Sequence, residues 1–171
     1  MRKLFAPWRS EYSSDVTAKK QEEATQDICV FCTQLQENQD EKHFILKRFA
    51  HTFVMLNKYP YNAGHILVLP LRHVALLSEL SQEERAELIE VQTKSIDVLF
   101  ATLKNHGLNM GINLGKAGGA GIPSHLHIHL LPRWQGDTNF MPAIAETKVI
   151  SFDLTKIYKQ LKEAFEKVAI L

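Results

Sequence analysis

Apolar residues along this chain switch between two periods, and the switches divide it into elements. Residues 44–48, 52–58 and 65–70 alternate or run apolar over stretches short enough for strands, with Asn62, Ala63 and Gly64 as the turn before the third. From Ser81 to His106 the period becomes helical. Leu88, Ile89, Gln92, Ile96, Leu99 and Leu103 fall near one face, with Gln92 its one polar member. Ser81 and Glu84 make a capping box at the start, Leu80 is placed as a staple, and Gly107 closes the helix. Residues 109–114 and 125–131 read as a fourth and a fifth strand, and a last amphipathic helix carries Leu154, Ile157, Leu161, Phe165 and Val168 on one stripe. Hairpin-type spacing with only two substantial helices predicts an α+β fold. It should hold an antiparallel sheet of about five strands, one long central helix and a C-terminal helix.

Composition narrows the class. The chain has 171 residues, 45% of them hydrophobic, enough for one core and one domain. Residues 1–43 are expected to form an N-terminal extension, 44–150 the core and 151–171 the C-terminal helix. Net charge is +1 with dispersed basic residues, so no nucleic-acid footprint is visible. No apolar stretch has membrane-span length, and the start from Met1 to Trp8 lacks the apolar run of a signal peptide. A cytoplasmic protein with no membrane partner is expected.

Candidate chemistry is concentrated between Pro123 and Pro132, where His125, His127 and His129 alternate with Leu126, Ile128 and Leu130. In an extended strand the three imidazoles share one face and the aliphatic residues pack the other. A helix would scatter them. Imidazole is a ligand, a nucleophile and a proton carrier near neutral pH. A three-histidine metal site is the competing reading, since alternate strand residues can converge on zinc. A glycine-rich approach precedes the strand, with Gly111, Gly115, Gly118, Gly119 and Gly121. It lacks the Lys-Ser/Thr pair of a Walker loop, but its backbone amides can close on an anion. Such a loop alone is more often a plain turn; beside the histidines it points to phosphate held near a nucleophilic ring.

Cys29 and Cys32 form the chain's only cysteine pair. Their spacing fits a redox dithiol, half a zinc site, or two small buried hydrophobes. The polar run from Ser13 to Asp27 lacks the preceding strand that a redox motif requires, and zinc needs two further ligands.

The block His125 to Leu131 resembles the signature of the histidine triad (HIT) superfamily of nucleotide hydrolases and transferases. The stretch from Asn57 to Pro70 is similar to the family's first-half motif, in which an Asn lies eight residues before a Gly-His pair, here Gly64 and His65. Two outer segments, Ala6 to Tyr12 and Pro132 to Phe140, resemble a subgroup that includes diadenosine tetraphosphate phosphorylases.

This resemblance implies the HIT fold, a homodimer or higher homo-oligomer, and a covalent nucleotidyl intermediate on His127. It implies that His129 contacts phosphate and that His65 supports the ring network. Asn57 would hold the ribose, Met55 and Leu67 would line the base pocket, and Asn113 with Gly118, Gly119 and Gly121 would contact phosphates. Cys29, Cys32, His73 and His125 map onto the ligands of a structural zinc; the bland reading of His73 is an ordinary strand-end histidine. No organic cofactor is expected. Many relatives carry a Gly-Gln pair and a hydroxyl residue just before the triad, whereas this chain has Gly121, Ile122 and Pro123. The implied activity is cleavage of a dinucleoside polyphosphate, with inorganic phosphate as acceptor in a phosphorylase or water in a hydrolase. Lys116, Arg133 and Trp134 are the candidates for a second anion site. A nucleoside phosphoramidase and a non-catalytic nucleotide- or zinc-binding module are the alternatives.

Overall fold

A computed structural model describes residues 29–145 and 152–170. The segment from Ala6 to Tyr12, most of the 1–43 extension, and residues 146–151 lie outside the described residues. The elements are α1 (Val30–Glu37), β1 (Ile45–Arg48), β2 (Thr52–Leu56), β3 (Ile66–Pro70), a 3₁₀ turn (Leu77–Glu79), α2 (Gln82–Leu103), β4 (Gly107–Ile112), β5 (Ile128–Arg133), α3 (Met141–Ala145) and α4 (Leu154–Glu166). The five strands form one antiparallel sheet in the order β1-β2-β3-β5-β4. Among the described residues no helix is long and apolar enough to cross a membrane.

Each face of the sheet has its own core. Leu46, Val54, Leu56, Ile66, Val68, Ile128 and Leu130 pack against Leu88, Val91 and Leu99 of α2 and against Ile157, Tyr158, Leu161 and Phe165 of α4. On the opposite face Ile45, Phe53, Met55, Leu67 and Leu69 pack beneath Phe31 of α1. Burying each of these large side chains contributes roughly 1.5–3 kcal/mol. The two faces follow from strand alternation, which sends neighbours in sequence to opposite sides.

Helix α2 starts as its sequence predicts. The Ser81 hydroxyl accepts from the Glu84 N–H, and the Glu84 carboxylate accepts from the Ser81 N–H. It ends earlier than expected. Lys104, in the left-handed region at φ 53, closes it, and its N–H donates to the Phe100 carbonyl. Gly107 is instead the first residue of β4, paired with Arg133, so the fourth strand begins two residues before its expected start. The Asn105 amide donates to the Gly107 carbonyl and bridges helix to strand. The buried stripe also shifts. Ile89 is 61% exposed, while Val91 and Ser95 take the inner positions with Leu88, Gln92 and Leu99. One residue along a helix is a turn of about 100°, which carries Ile89 off the Leu88 face.

Strand β5 begins at Ile128, not at His125. Pro70 ends β3 without an N–H to offer, and its carbonyl accepts from the His125 ring, so the ladder with β3 stops at Ile128. The Leu126 N–H bonds the Val74 carbonyl instead. Gly64 makes the turn before β3 at φ +68, where a Cβ would collide with the Leu103 side chain. That turn delivers His65 to the sheet beneath the histidine row.

Candidate functional site

His129 lies on β5 opposite Leu67 of β3 and Gly111 of β4. His127 and His125 sit on the extended segment that leads into β5. His65, His125 and His127 are buried. The hydrogen bonds around these rings determine where each proton sits. The Tyr61 N–H donates to His65 Nδ1 at 3.1 Å, and Asn57 Nδ2 lies 3.3 Å from the same nitrogen. His65 Nδ1 is therefore an acceptor, so the ring's proton is on Nε2. That nitrogen is 2.9 Å from His129 Nδ1 and donates to it. His129 must then carry its own proton on Nε2, which is buried and has no hydrogen-bond partner among the described residues.

His127 has the opposite tautomer. Its Nδ1 is 2.8 Å from the His125 carbonyl, which can only accept. The proton is on Nδ1, and Nε2 keeps its lone pair. The His127 and His129 rings meet edge to face, 5.1 Å between centroids. A lone pair and an N–H donor thus stand side by side, groups able to act as a nucleophile and as an anion contact.

Burial holds these rings neutral. Desolvation, with the fields of His129 and His127 added, pushes His65 down to about 3. Desolvation and the neighbouring His127 push His129 down to about 4. His127 is also lowered by desolvation, against the opposing pull of its bond to the His125 carbonyl. The folded values of His65 and His129 lie below the ordinary imidazole value of 6.5, so between pH 6.5 and about 4 the unfolded chain binds more protons. Stability should be full above pH 6.5 and decline as pH falls through that window. Urea unfolding with a chelator present, so that metal release does not contribute, measures this; a midpoint unchanged from pH 7 to pH 4.5 contradicts the neutral rings.

A second cluster lies at the other end of the row. Ligand atoms of Cys29, Cys32, His73 and His125 all fall within 4.8 Å of one another. His125 Nδ1 is 3.3 Å from Cys29 Sγ and 3.6 Å from Cys32 Sγ, and His73 Nδ1 is 3.4 Å from Cys32 Sγ. A tetrahedral ion with sulfur at about 2.3 Å and nitrogen at about 2.1 Å has ligand-to-ligand edges of about 3.5 Å. The four side chains fit a closed tetrahedral metal site. His125 is oriented for it, since its Nε2–H donates to the Pro70 carbonyl at 2.9 Å and leaves Nδ1 as the lone pair. Without metal, burial and the adjacent Cys29 push the Cys32 thiol up to about 11, so metal binding must displace protons. The three alternating histidines do not converge on one ion: His125 turns to the cysteines, His127 to a carbonyl and His129 to His65.

Other expected residues fall into place unevenly. Met55 and Leu67 are buried cross-strand partners in the core beneath Phe31, on the histidine face. The Asn57 side chain is held in its own loop, its Oδ1 accepting from the Tyr59 N–H. Asn113 follows β4 half-buried. In the glycine loop the Gly119 N–H donates to the Lys116 carbonyl and the Ala120 N–H to the Gly115 carbonyl, which removes Gly119 as a phosphate donor in this conformation. Gly118 packs its backbone on the Leu114 carbonyl, where a Cβ would collide. No hydrogen bond inside the loop involves the Gly121 amide among the described contacts. Arg133 is already paired. Its Nε and Nη2 donate to the two oxygens of Asp137, at 2.6 and 2.9 Å, and its Nη1 donates to Asn109. The Trp134 N–H also donates to Asp137. The sequence pattern did not single out Phe31, whose ring lies 5.5 Å from His125 and 5.6 Å from His127, nor the Pro70 carbonyl and the Tyr61 N–H. An aromatic inside the Cys-x-x-Cys spacing was the one available signal.

Comparison with known proteins agrees with this geometry. The model of the HIT domain family matches residues 37–136. A Mycobacterium tuberculosis protein named AP-4-A phosphorylase is 35% identical over 150 residues, which cover 88% of this chain and 77% of that protein. The structure of a Zn-bound histidine triad family protein from Mycobacterium smegmatis superposes with a TM-score of 0.65 at 24% identity, over 81% of this chain and 94% of its own, and shares the fold. A hypothetical histidine triad nucleotide-binding protein from Sulfolobus tokodaii gives a TM-score of 0.65 at 26% identity, over 81% of this chain and 92% of that one. With the family match spanning more than half of its length, this chain belongs to the HIT domain family.

Proposed function

We propose that this protein cleaves dinucleoside polyphosphates by nucleotidyl transfer through His127 and delivers the nucleotide to inorganic phosphate. The observation that carries this reading is the His127 tautomer: its Nδ1–H is fixed on the His125 carbonyl at 2.8 Å, which leaves Nε2 as a neutral nucleophile. Diadenosine tetraphosphate illustrates the reaction. His127 Nε2 attacks the phosphorus next to one adenosine, an N–P bond forms, and the bond to the bridging oxygen breaks, releasing ATP. The ring becomes cationic while it carries the nucleotide, and its bond to the His125 carbonyl strengthens with that charge. His129 Nε2–H, otherwise unpaired, donates to the phosphate oxygens as they gain charge. His65 keeps that donor in place. An oxygen of inorganic phosphate then attacks the same phosphorus, the N–P bond breaks, and ADP leaves with the His127 lone pair restored.

Asn113 supplies a further phosphate contact, Asn57 binds the ribose, and Met55 with Leu67 lies against the base. Cys29, Cys32, His73 and His125 hold a zinc ion that ties the start of α1 to the sheet. The relative named AP-4-A phosphorylase supports phosphate as the acceptor. The test is a product assay on diadenosine tetraphosphate with and without phosphate. Cleavage should rise with phosphate and saturate, and labelled phosphate should appear in the β position of ADP. Full-rate cleavage to AMP and ATP in phosphate-free buffer makes water the acceptor and the protein a hydrolase.

A further inference from the structure

Cross-strand pairs trace one row across the histidine face of the sheet. Ile45 pairs with Met55, Met55 with Leu67, Leu67 with His129, and His129 with Gly111. Directly opposed residues of antiparallel strands point to the same side, with Cβ atoms about 5 Å apart. The row therefore runs through three buried apolar side chains, reaches an imidazole, and ends at a position with no side chain. Ile112 and Leu108, the alternate residues of β4, pack against the other core, which confirms the side on which Gly111 lies.

The glycine at this position is not explained by the fold. Its φ is not in the left-handed region, and a Cβ built on it would meet nothing within 4 Å. Glycine inside a strand weakens it through backbone entropy, and where neither turn nor packing requires it, it marks a close approach from outside. Beside it, the unpaired N–H of His129 is the second sign of something that approaches this face.

We propose that Gly111 is a specificity-determining position: the bare floor of the channel in which the polyphosphate leaving group lies. This rests on the reading of His127 as the nucleophile. A chain of phosphates carries several negative charges and cannot lie over Met55 and Leu67 without losing its hydration uncompensated. From the phosphorus held at His127 it must run the other way, past His129 and out over β4. Asn113, one step beyond the end of β4, falls on the same side as Gly111 by alternation. The leaving group thus passes over Gly111, flanked by His129 and Asn113. A side chain at 111 fills that passage and leaves the subsite of the first nucleotide untouched.

Gly111→Ala, Gly111→Val and Gly111→Leu test this by calorimetric titration with AMP and with a methylene-bridged, non-hydrolysable diadenosine tetraphosphate. AMP affinity should stay within about twofold of the parent, as for a substitution that makes no new contact. Affinity for the bridged analogue should fall in order of side-chain volume, by about tenfold or more for Leu, because a filled passage rejects what no longer fits. Thermal midpoints should hold or rise, since each replacement is a better strand former than glycine. Unchanged analogue affinity in the Val and Leu variants overturns the proposal, as does a parallel loss of AMP and analogue. Failure of the parent protein to bind either ligand is a different result and removes the nucleotidyl-transfer reading beneath it.

Discussion

His127→Ala should lower turnover of diadenosine tetraphosphate by about ten-thousand-fold or more, the scale seen when a covalent nucleophile is removed. The ring sits at the centre of the row with its Nδ1 proton held on the His125 carbonyl, and no neighbour can take over its attack. His129 offers an N–H and not a lone pair, because its Nδ1 is engaged by His65. His125 has its Nδ1 among the cysteines. Nucleotide binding should persist in the variant, since the contacts proposed for the base and ribose do not use the His127 ring. Labelled nucleotide trapped on the parent protein by alkaline quench, and absent from the variant, locates the intermediate. Near-normal turnover by His127→Ala would exclude the covalent route.

Metal removal should have the largest effect on stability. Purified protein should contain about one zinc per chain, as a single tetrahedral site requires. An ion that binds only the folded state stabilises it by about 4 kcal/mol when present at a thousand times its dissociation constant. Chelation should therefore lower the melting temperature by roughly 10 °C for a domain of this size. The domain should stay folded, because the larger core, between the sheet and helices α2 and α4, contains none of the four proposed ligands. Cys32→Ser should reproduce the drop and make the melting temperature insensitive to added zinc. Metal-free protein with an unchanged melting curve on chelation would contradict the assignment.

What could be read from the sequence follows physical range. Alternation along His125–Leu130 displayed the three imidazoles because strand geometry is local, and the same holds for the Ser81–Glu84 cap. The start of β5 at Ile128 goes with the bond from the His125 ring to the carbonyl of Pro70, more than fifty positions away, and no local pattern reports that. The role of each ring was similarly out of reach, because tautomers are set by contacts that only the folded chain makes: a turn brings the Tyr61 amide onto His65, and partners far away in sequence reach the other rings, His65 for His129 and the cysteines with Pro70 for His125. Ile89 was misplaced because two adjacent aliphatic residues cannot both occupy one helical stripe, and period alone does not choose between them. Arg133 looked like a free cation until Asp137, four residues on, proved to hold its guanidinium from both oxygens.

The atom that determines the His127 tautomer is a main-chain carbonyl, and every amino acid brings one. A mutation at position 125 can remove the imidazole but cannot delete the acceptor; it can only displace it. Across generations of drift the two halves of the site are therefore unequally exposed. The cysteine-histidine cluster can be lost in a single codon change at any of four positions, while the acceptor that fixes the His127 ring is inherited with the backbone itself.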